Sequence, residues 1–321
     1  MSDINPGFGM SILLVTYNHE AYITRALESI FNQDYPGLIE LVIADDASTD
    51  GTLELIRAYE GRDTRFVFSY LSSVTNHGIT KNYQRGFAAC TGPYVAVLEG
   101  DDYWISPKKL SRQASFLSEH WECDLCSVNY LVFYEESAMF TERTTIGTGY
   151  RLLTARDLIA DNLVGNFSTC MYRRAALESL PAELFDVRSY DWIVNICVAR
   201  TSMIGFIEEP MSVYRVHSSG AWSNYQQLEK LQLQLSLIPT YDRITLQQFQ
   251  AEFSRLEAAL RKSIILAQGE RFAAGGGRLA LSSLSRVSDC LPPVVTMIIR
   301  ALMPPVMMRV LSRIARRMRR P

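Results

Sequence analysis

Three carboxylates stand within four residues of one another, at Glu99, Asp101 and Asp102, with one glycine, Gly100, among them. Packed so closely they repel, and partial burial adds a desolvation cost that a divalent cation relieves. Gly100 admits a backbone bend or a close approach that a side chain would block. The cluster ends an apolar run, Val95-Ala96-Val97-Leu98, that reads as a buried strand. Open α/β sheets bind their ligands at the carboxyl ends of such strands, so the stretch suggests a metal and phosphate site. A solvated acidic turn is the plainer alternative.

Two more apolar runs end in polar loops. Ser11 to Val15 leads into Thr16-Tyr17-Asn18-His19-Glu20, and Ile39 to Ala44 leads into Asp45-Asp46-Ala47-Ser48-Thr49-Asp50-Gly51. Between them, Ile23, Ala26, Leu27 and Ile30 recur at helical spacing over Ala21 to Phe31, and a second helical pattern follows from Leu53 to Tyr59. A third strand is expected at Phe66 to Leu71, and a helix opening near Asn76 to Asn82 and running to about Ala89. This rhythm of strand, loop and helix predicts an α/β fold with a mostly parallel sheet and right-handed crossovers. The three polar loops then converge on one crevice. Neither GxGxxG nor GxxxxGK[ST] occurs, which disfavours a dinucleotide dehydrogenase or a P-loop ATPase. Acids at strand ends suit ribose and base groups, with a metal carrying the phosphates, and point to a nucleotide-sugar site.

The chain has 321 residues, enough for one large α/β domain and an appendage, and a net charge of −2 that gives no sign of nucleic acid as a partner. Of the six cysteines only Cys123 and Cys126 have metal-like spacing, and no second pair or nearby histidine completes a zinc set. They are expected as ordinary thiols in a cytoplasmic protein. Residues 1–10 show no signal-peptide pattern. Leu291 to Met308 is apolar but interrupted by four prolines and Arg300, short of a spanning helix.

Val15-Thr16-Tyr17-Asn18, the Asp45 to Thr52 stretch and Leu98-Glu99-Gly100-Asp101-Asp102-Tyr103-Trp104 together resemble the family 2 glycosyltransferases of GT-A fold, in order and spacing as well as residue type. The acidic cluster is similar to the family's DxD signature with Glu99 in place of its first Asp. Downstream, Ser189-Tyr190-Asp191-Trp192 resembles the motif that carries the catalytic base, and Tyr214 to Ser223 the segment over the diphosphate. The resemblance spans roughly residues 10 to 223.

It implies an inverting, metal-dependent transfer from a nucleotide-sugar, UDP-linked by expectation, to a hydroxyl acceptor. Asp191 is expected as general base, although a helix N-cap is its plainer reading. Asp102 and Asp101, with His217, are expected to hold Mg2+ or Mn2+, Asp101 also reaching the ribose. Val15, Thr16 and Tyr17 are expected around the base, Asp46 on a base N–H, Glu20 on base or ribose, and Lys81 and Asn82 near the diphosphate. Arg215 could pair with phosphate or with a surface acid. Trp104, Trp192 and Trp222 are candidates for a sugar platform, with core packing as the alternative.

The domain reading is a glycosyltransferase domain over 1–223, a helical appendage over 224–285, and a basic amphipathic tail over 286–321. In the tail Met307, Val310, Leu311, Ile314 and Met318 share one helical face and Arg309, Arg313, Arg316, Arg317 and Arg320 the other. Such a helix suits an anionic membrane surface, and peripheral contact with the inner face of the plasma membrane would fit a lipid-linked glycan acceptor in surface polysaccharide or glycolipid assembly. The rival functions are a sugar nucleotidyltransferase, which lacks here its Gly- and Lys-rich loop, and a non-catalytic nucleotide-sugar-binding module.

Overall fold

A computed structural model of the chain describes residues 7–71, 73–187, 191–220, 222 and 225–274. They divide into two compact units that part after Ser218.

The first unit opens with four parallel strands, β1 (Met10–Thr16), β2 (Ile39–Asp45), β3 (Phe66–Tyr70) and β4 (Tyr94–Glu99). They alternate with helices α1 (Ile23–Phe31), α2 (Thr52–Arg57) and α3 (Ile79–Ala89). All seven residues of β1 and of β2 are buried, which is why both read as unbroken apolar runs rather than alternating ones. Helix α1 turns Ile23, Ala26, Leu27 and Ile30 onto the sheet, the stripe its spacing predicts.

The chain continues through β5 (Tyr103–Trp104), α4 (Lys109–Glu119), β6 (Cys123–Tyr134), β7 (Met139–Glu142), β8 (Tyr150–Leu153), α5 (Ala155–Ala160), β9 (Cys170–Arg173), α6 (Arg174–Glu178), α7 (Asp191–Val198) and β10 (Met203–Val216). The sheet runs β3-β2-β1-β4-β9-β6-β10-β5, with β7 paired to β6 and β8 to β10. Strands β6 and β10 are parallel to each other, while β5, β7, β8 and β9 run against their neighbours. Proline cannot donate to a ladder, and the β10 register shifts on both sides of Pro210. The mostly parallel, helix-flanked sheet is the fold class expected from the sequence.

Strand β1 lies between β2 and β4, so the strand order reverses there. The crevice beyond the carboxyl ends of β1 and β4 is therefore the topological switch point. Register makes this concrete: Val15 stands opposite Glu99, and Thr16 opposite Asp45. All three polar loops leave the sheet at one level.

The second unit holds α8 (Gln227–Ile244), which contains Pro239, and α9 (Gln250–Ala274), which pack on each other. Leu246 and Gln247 turn between them with positive φ. The buried residues of α8 are Leu231, Ile238, Tyr241 and Ile244. Among the described residues no helix is long and apolar enough to cross a membrane. The basic tail over 286–321 lies outside the described residues.

Candidate active site

Two loops are zipped together at the switch point. Asn18 donates its N–H to Ser48 Oγ at 2.9 Å and accepts from Thr49 N–H at 2.8 Å. Glu20 N–H reaches Asp50 Oδ2 at 3.1 Å, and Gly51 N–H returns to Glu20 Oε2 at 3.1 Å. The loop after β1 is thus fixed in place by the loop after β2. Tyr17, 45% exposed on this loop, presents an aromatic ring to solvent.

The acidic cluster sorts into three different environments. Asp101 Oδ2 meets His217 Nε2 at 3.0 Å, and His19 Nε2 lies 3.8 Å away. Burial raises the pKa of Asp101, but the hydrogen bond to His217 and the two neighbouring imidazoles outweigh it and hold the carboxyl below its usual range. Asp102 points the other way, into the fold. Its Oδ1 accepts Arg215 N–H at 2.8 Å, and its Oδ2 accepts from Ser168 Oγ at 2.6 Å and Asn166 Nδ2 at 3.2 Å. Burial, together with the charges of Asp101 and Glu99, pushes its pKa well up. Glu99 Oε1 accepts the Tyr83 hydroxyl at 2.7 Å, and burial and Asp101 push Glu99 up to about 8. Of three acids that cannot all ionise together, Asp101 keeps the charge.

Asp102, expected as a metal ligand, therefore has both oxygens hydrogen-bonded within the fold, whereas Asp101 Oδ2 faces His217. The Asp102 bonds tie the end of β4 to β10 and to the short helix over Phe167–Thr169. The Asp101 carboxylate offers the oxygen donor that a hard divalent cation prefers, with the His217 imidazole 3.0 Å from it. Among the described residues no three His, Cys, Asp or Glu side chains form a complete metal-binding group. An ion here would draw its remaining ligands from a bound diphosphate or water.

His217 is almost wholly buried, its ring 4.6 Å from that of Tyr22. Arg215 is also spoken for: its Nε donates to Asp101 O at 2.9 Å, its Nη1 lies 3.6 Å from Glu135, and its guanidinium packs over Tyr22, Tyr103 and Phe133. It braces the acidic turn instead of offering itself to phosphate.

Asp191 is the first residue of α7, half-buried, with Oδ1 accepting its neighbour Trp192's N–H. Burial pushes its carboxyl up to about 7, against that hydrogen bond. It lies near enough to Glu99 for its charge to raise the Glu99 pKa further. The preceding Ser189 and Tyr190 of the expected motif lie outside the described residues.

The other expected site residues have partners of their own. Asp46 is 3% exposed and accepts His77 N–H at 2.8 Å and Gly78 N–H at 2.9 Å, so it clamps the loop before α3. Asn82 donates to Ala44 O at 2.7 Å and accepts from Arg85 Nε at 2.7 Å, which ties α3 to β2. The carbonyls of Val15 and Thr16 accept Gly100 N–H at 2.8 Å and Asp46 N–H at 3.0 Å, extending the sheet ladder past its last residues. Trp104, 4% exposed, is core: its Nε1 donates to Ser168 O at 2.8 Å and the buried Lys109 ammonium lies 4.2 Å from its ring centroid. Trp192 stays half-buried with Nε1 on Leu158 O at 2.7 Å, and Trp222 lies in the second unit beside Tyr225 and Lys230. Lys81 is partly exposed and pairs with Asp186 at 2.6 Å.

Sequence reasoning left His19 without a role. A histidine two residues past Tyr17 carries no distinguishing spacing, and only the fold brings it to Asp101.

Residues 11–180 match the profile described as glycosyl transferase family 2. The match ends short of Asp191 and His217. The Mycobacterium tuberculosis protein Rv1520 is 35% identical over 213 residues, covering 66% of this chain and 60% of its own length. The chain thus spans 60% of the length of that relative. Among solved structures, S. aureus TarS 1-349 in complex with UDP-GlcNAc superposes with a TM-score of 0.56 at 22% identity, over 76% of this chain and 72% of that one. The mannosyltransferase PcManGT from Pyrobaculum calidifontis, in complex with GDP-Man and Mn2+, superposes with a TM-score of 0.61 at 18% identity, over 92% of this chain and 85% of that one. At these identities the likeness is one of fold.

Proposed function

The chain belongs to glycosyl transferase family 2, and we propose that it moves a sugar from a nucleotide-sugar to a hydroxyl acceptor with inversion, Asp191 acting as general base. The observation that carries the reading is the division of labour among the acids: Asp101 is held ionised beside His217 at the switch point, while Asp191, at the start of α7, has a pKa of about 7.

A base with that pKa is ionised in about half the molecules at neutral pH and still basic enough to take a proton. The acceptor hydroxyl gives its proton to the Asp191 carboxylate as its oxygen bonds to the anomeric carbon. The bond from that carbon to the diphosphate oxygen breaks on the opposite face, and its electron pair leaves with the nucleoside diphosphate. Asp101 and His217 would hold a divalent cation, Mg2+ or Mn2+, which when bound offsets negative charge on the departing diphosphate. The complex of PcManGT with GDP-Man and Mn2+ supports this choice of cofactor. Tyr17 offers its exposed ring to the base, and Glu20, on the same loop and accepting Gly51 N–H, serves base or ribose. Lys81 can leave Asp186 for the diphosphate, and the half-buried Trp192 lies next to the base where a sugar would pass.

UDP remains the proposed nucleotide, on the support of UDP-GlcNAc in TarS. A hydroxyl on a surface polysaccharide or glycolipid is the proposed acceptor, at the inner membrane face, with the basic tail as the contact. Calorimetric titration of UDP, GDP and their sugar conjugates, with and without Mn2+, tests the donor site. The expected result is Mn2+-dependent binding of UDP that is lost in Asp101→Ala. Tighter binding of GDP would overturn the nucleotide assignment, and binding indifferent to Mn2+ would overturn the cation site.

A further inference from the structure

His19 has a seat built from three sides. Its N–H donates to Thr52 Oγ1 at 2.8 Å, and its carbonyl accepts the N–H groups of Tyr22 and Ile23 at 2.8 Å each, which fixes the backbone at the entry to α1. Its ring occupies the space that Gly100 leaves open. A Cβ at Gly100 would stand 2.8 Å from His19 Nδ1 and 2.9 Å from Thr16 Oγ1, closer than side chains pack. Nδ1 is buried and has no hydrogen-bond partner among the described residues, a cost that a freely chosen ring position would avoid. The other nitrogen, Nε2, lies 3.8 Å from Asp101 Oδ2, the same oxygen that His217 Nε2 meets at 3.0 Å.

We propose that His19 is a positioning residue that, with His217, brackets Asp101 Oδ2 and so sets the direction of the Asp101 carboxylate at the mouth of the crevice. His217 alone is within hydrogen-bond reach of that oxygen, and the His19 ring, 3.8 Å away, limits by packing how far the carboxylate can swing about that bond. The glycine of the acidic cluster gains a reason: it makes room for this ring. Orienting partners of this kind commonly change metal affinity by about ten- to a hundredfold when removed. The role in catalysis rests on the cation site proposed above, but the positioning itself does not.

The test uses the full chain with His19→Ala and His19→Gln. The first readout is the imidazole 15N spectrum of His217 in metal-free protein at fixed pH. His19→Ala is expected to shift those signals and His19→Gln, which keeps an N–H donor, to return them toward wild type. The second readout is Mn2+ affinity by electron paramagnetic resonance, expected to fall about tenfold or more in His19→Ala with partial recovery in His19→Gln. Unmoved His217 signals in a folded His19→Ala protein overturn the proposal. If His19→Ala melts early, His19→Gln decides: restored melting without restored signals also overturns it. Shifted signals in a chain that binds no Mn2+ uphold the positioning and sink the cation site alone.

Discussion

The pH dependence of turnover follows from the environment of Asp191. Burial holds its pKa near about 7. A base with that value is ionised to about one tenth at pH 6 and about nine tenths at pH 8, so turnover rises about ninefold to tenfold across the interval. A solvated aspartate, ionising near pH 4, would be almost fully charged throughout and give a flat profile. Replacing Asp191 by Asn preserves shape and removes the base, and should cost about 100- to 10,000-fold in kcat while leaving the donor KM within a few fold. The assay is release of the nucleoside diphosphate under saturating donor and cation, at constant ionic strength. The same carboxyl affects stability. Its folded pKa is raised, so the folded state holds a proton that the unfolded chain has lost between pH 4 and pH 7. Stability therefore falls as pH rises through that window, by at most about 1.4 kcal/mol per pH unit, and Asp191→Asn should flatten the fall. A flat rate profile from pH 6 to 8, or an Asp191→Asn variant retaining a tenth of wild-type kcat, refutes the reasoning.

Two other perturbations separate structural from functional groups. Asp102→Ala strands the Arg215 N–H and the polar groups of Ser168 and Asn166, and should cost about 2–3 kcal/mol in urea unfolding. Asp101→Ala should keep most of the stability and lose cation-dependent donor binding; the reverse pattern would refute the reassignment. Lys109 is fully buried with its ammonium on Gln113 Oε1, and burial lowers its pKa to about 7. Between pH 7 and pH 10 the unfolded chain binds the extra proton, so wild-type stability should rise with pH by up to about 1.4 kcal/mol per unit. Lys109→Met should remove the rise, as read from urea midpoints at pH 7 and 9; an equal rise in both proteins would refute the assignment.

Periodicity was sufficient for the elements of the first hundred residues. Strands β1, β2 and β4 are buried on both faces, so their local sequence carries the full signal, and α1 shows its core stripe openly. The region after Cys123 was not legible, because β6 and β10 pair across 80 residues and β7, β8 and β9 are short antiparallel additions whose pairing is decided at long range.

For the site, residue types and spacing by themselves pointed to an acidic strand end and polar loops after β1 and β2 around one crevice, and Asp191 and His217 came only through the family resemblance. Types and spacing determined neither which acid is free nor which is structural. Asp101 and Asp102 are neighbours in the chain, yet successive residues at a strand end face opposite ways: one meets His217 and His19, the other the N–H of Arg215 and the hydroxyl of Ser168. Asp46 and Asn82 were expected as ligands from the family resemblance, and in the fold Asp46 holds the loop before α3 while Asn82 ties α3 to β2. Whether a polar side chain serves the fold or a ligand depends on which backbone groups come within about 3 Å of it, a distance only the folded chain sets.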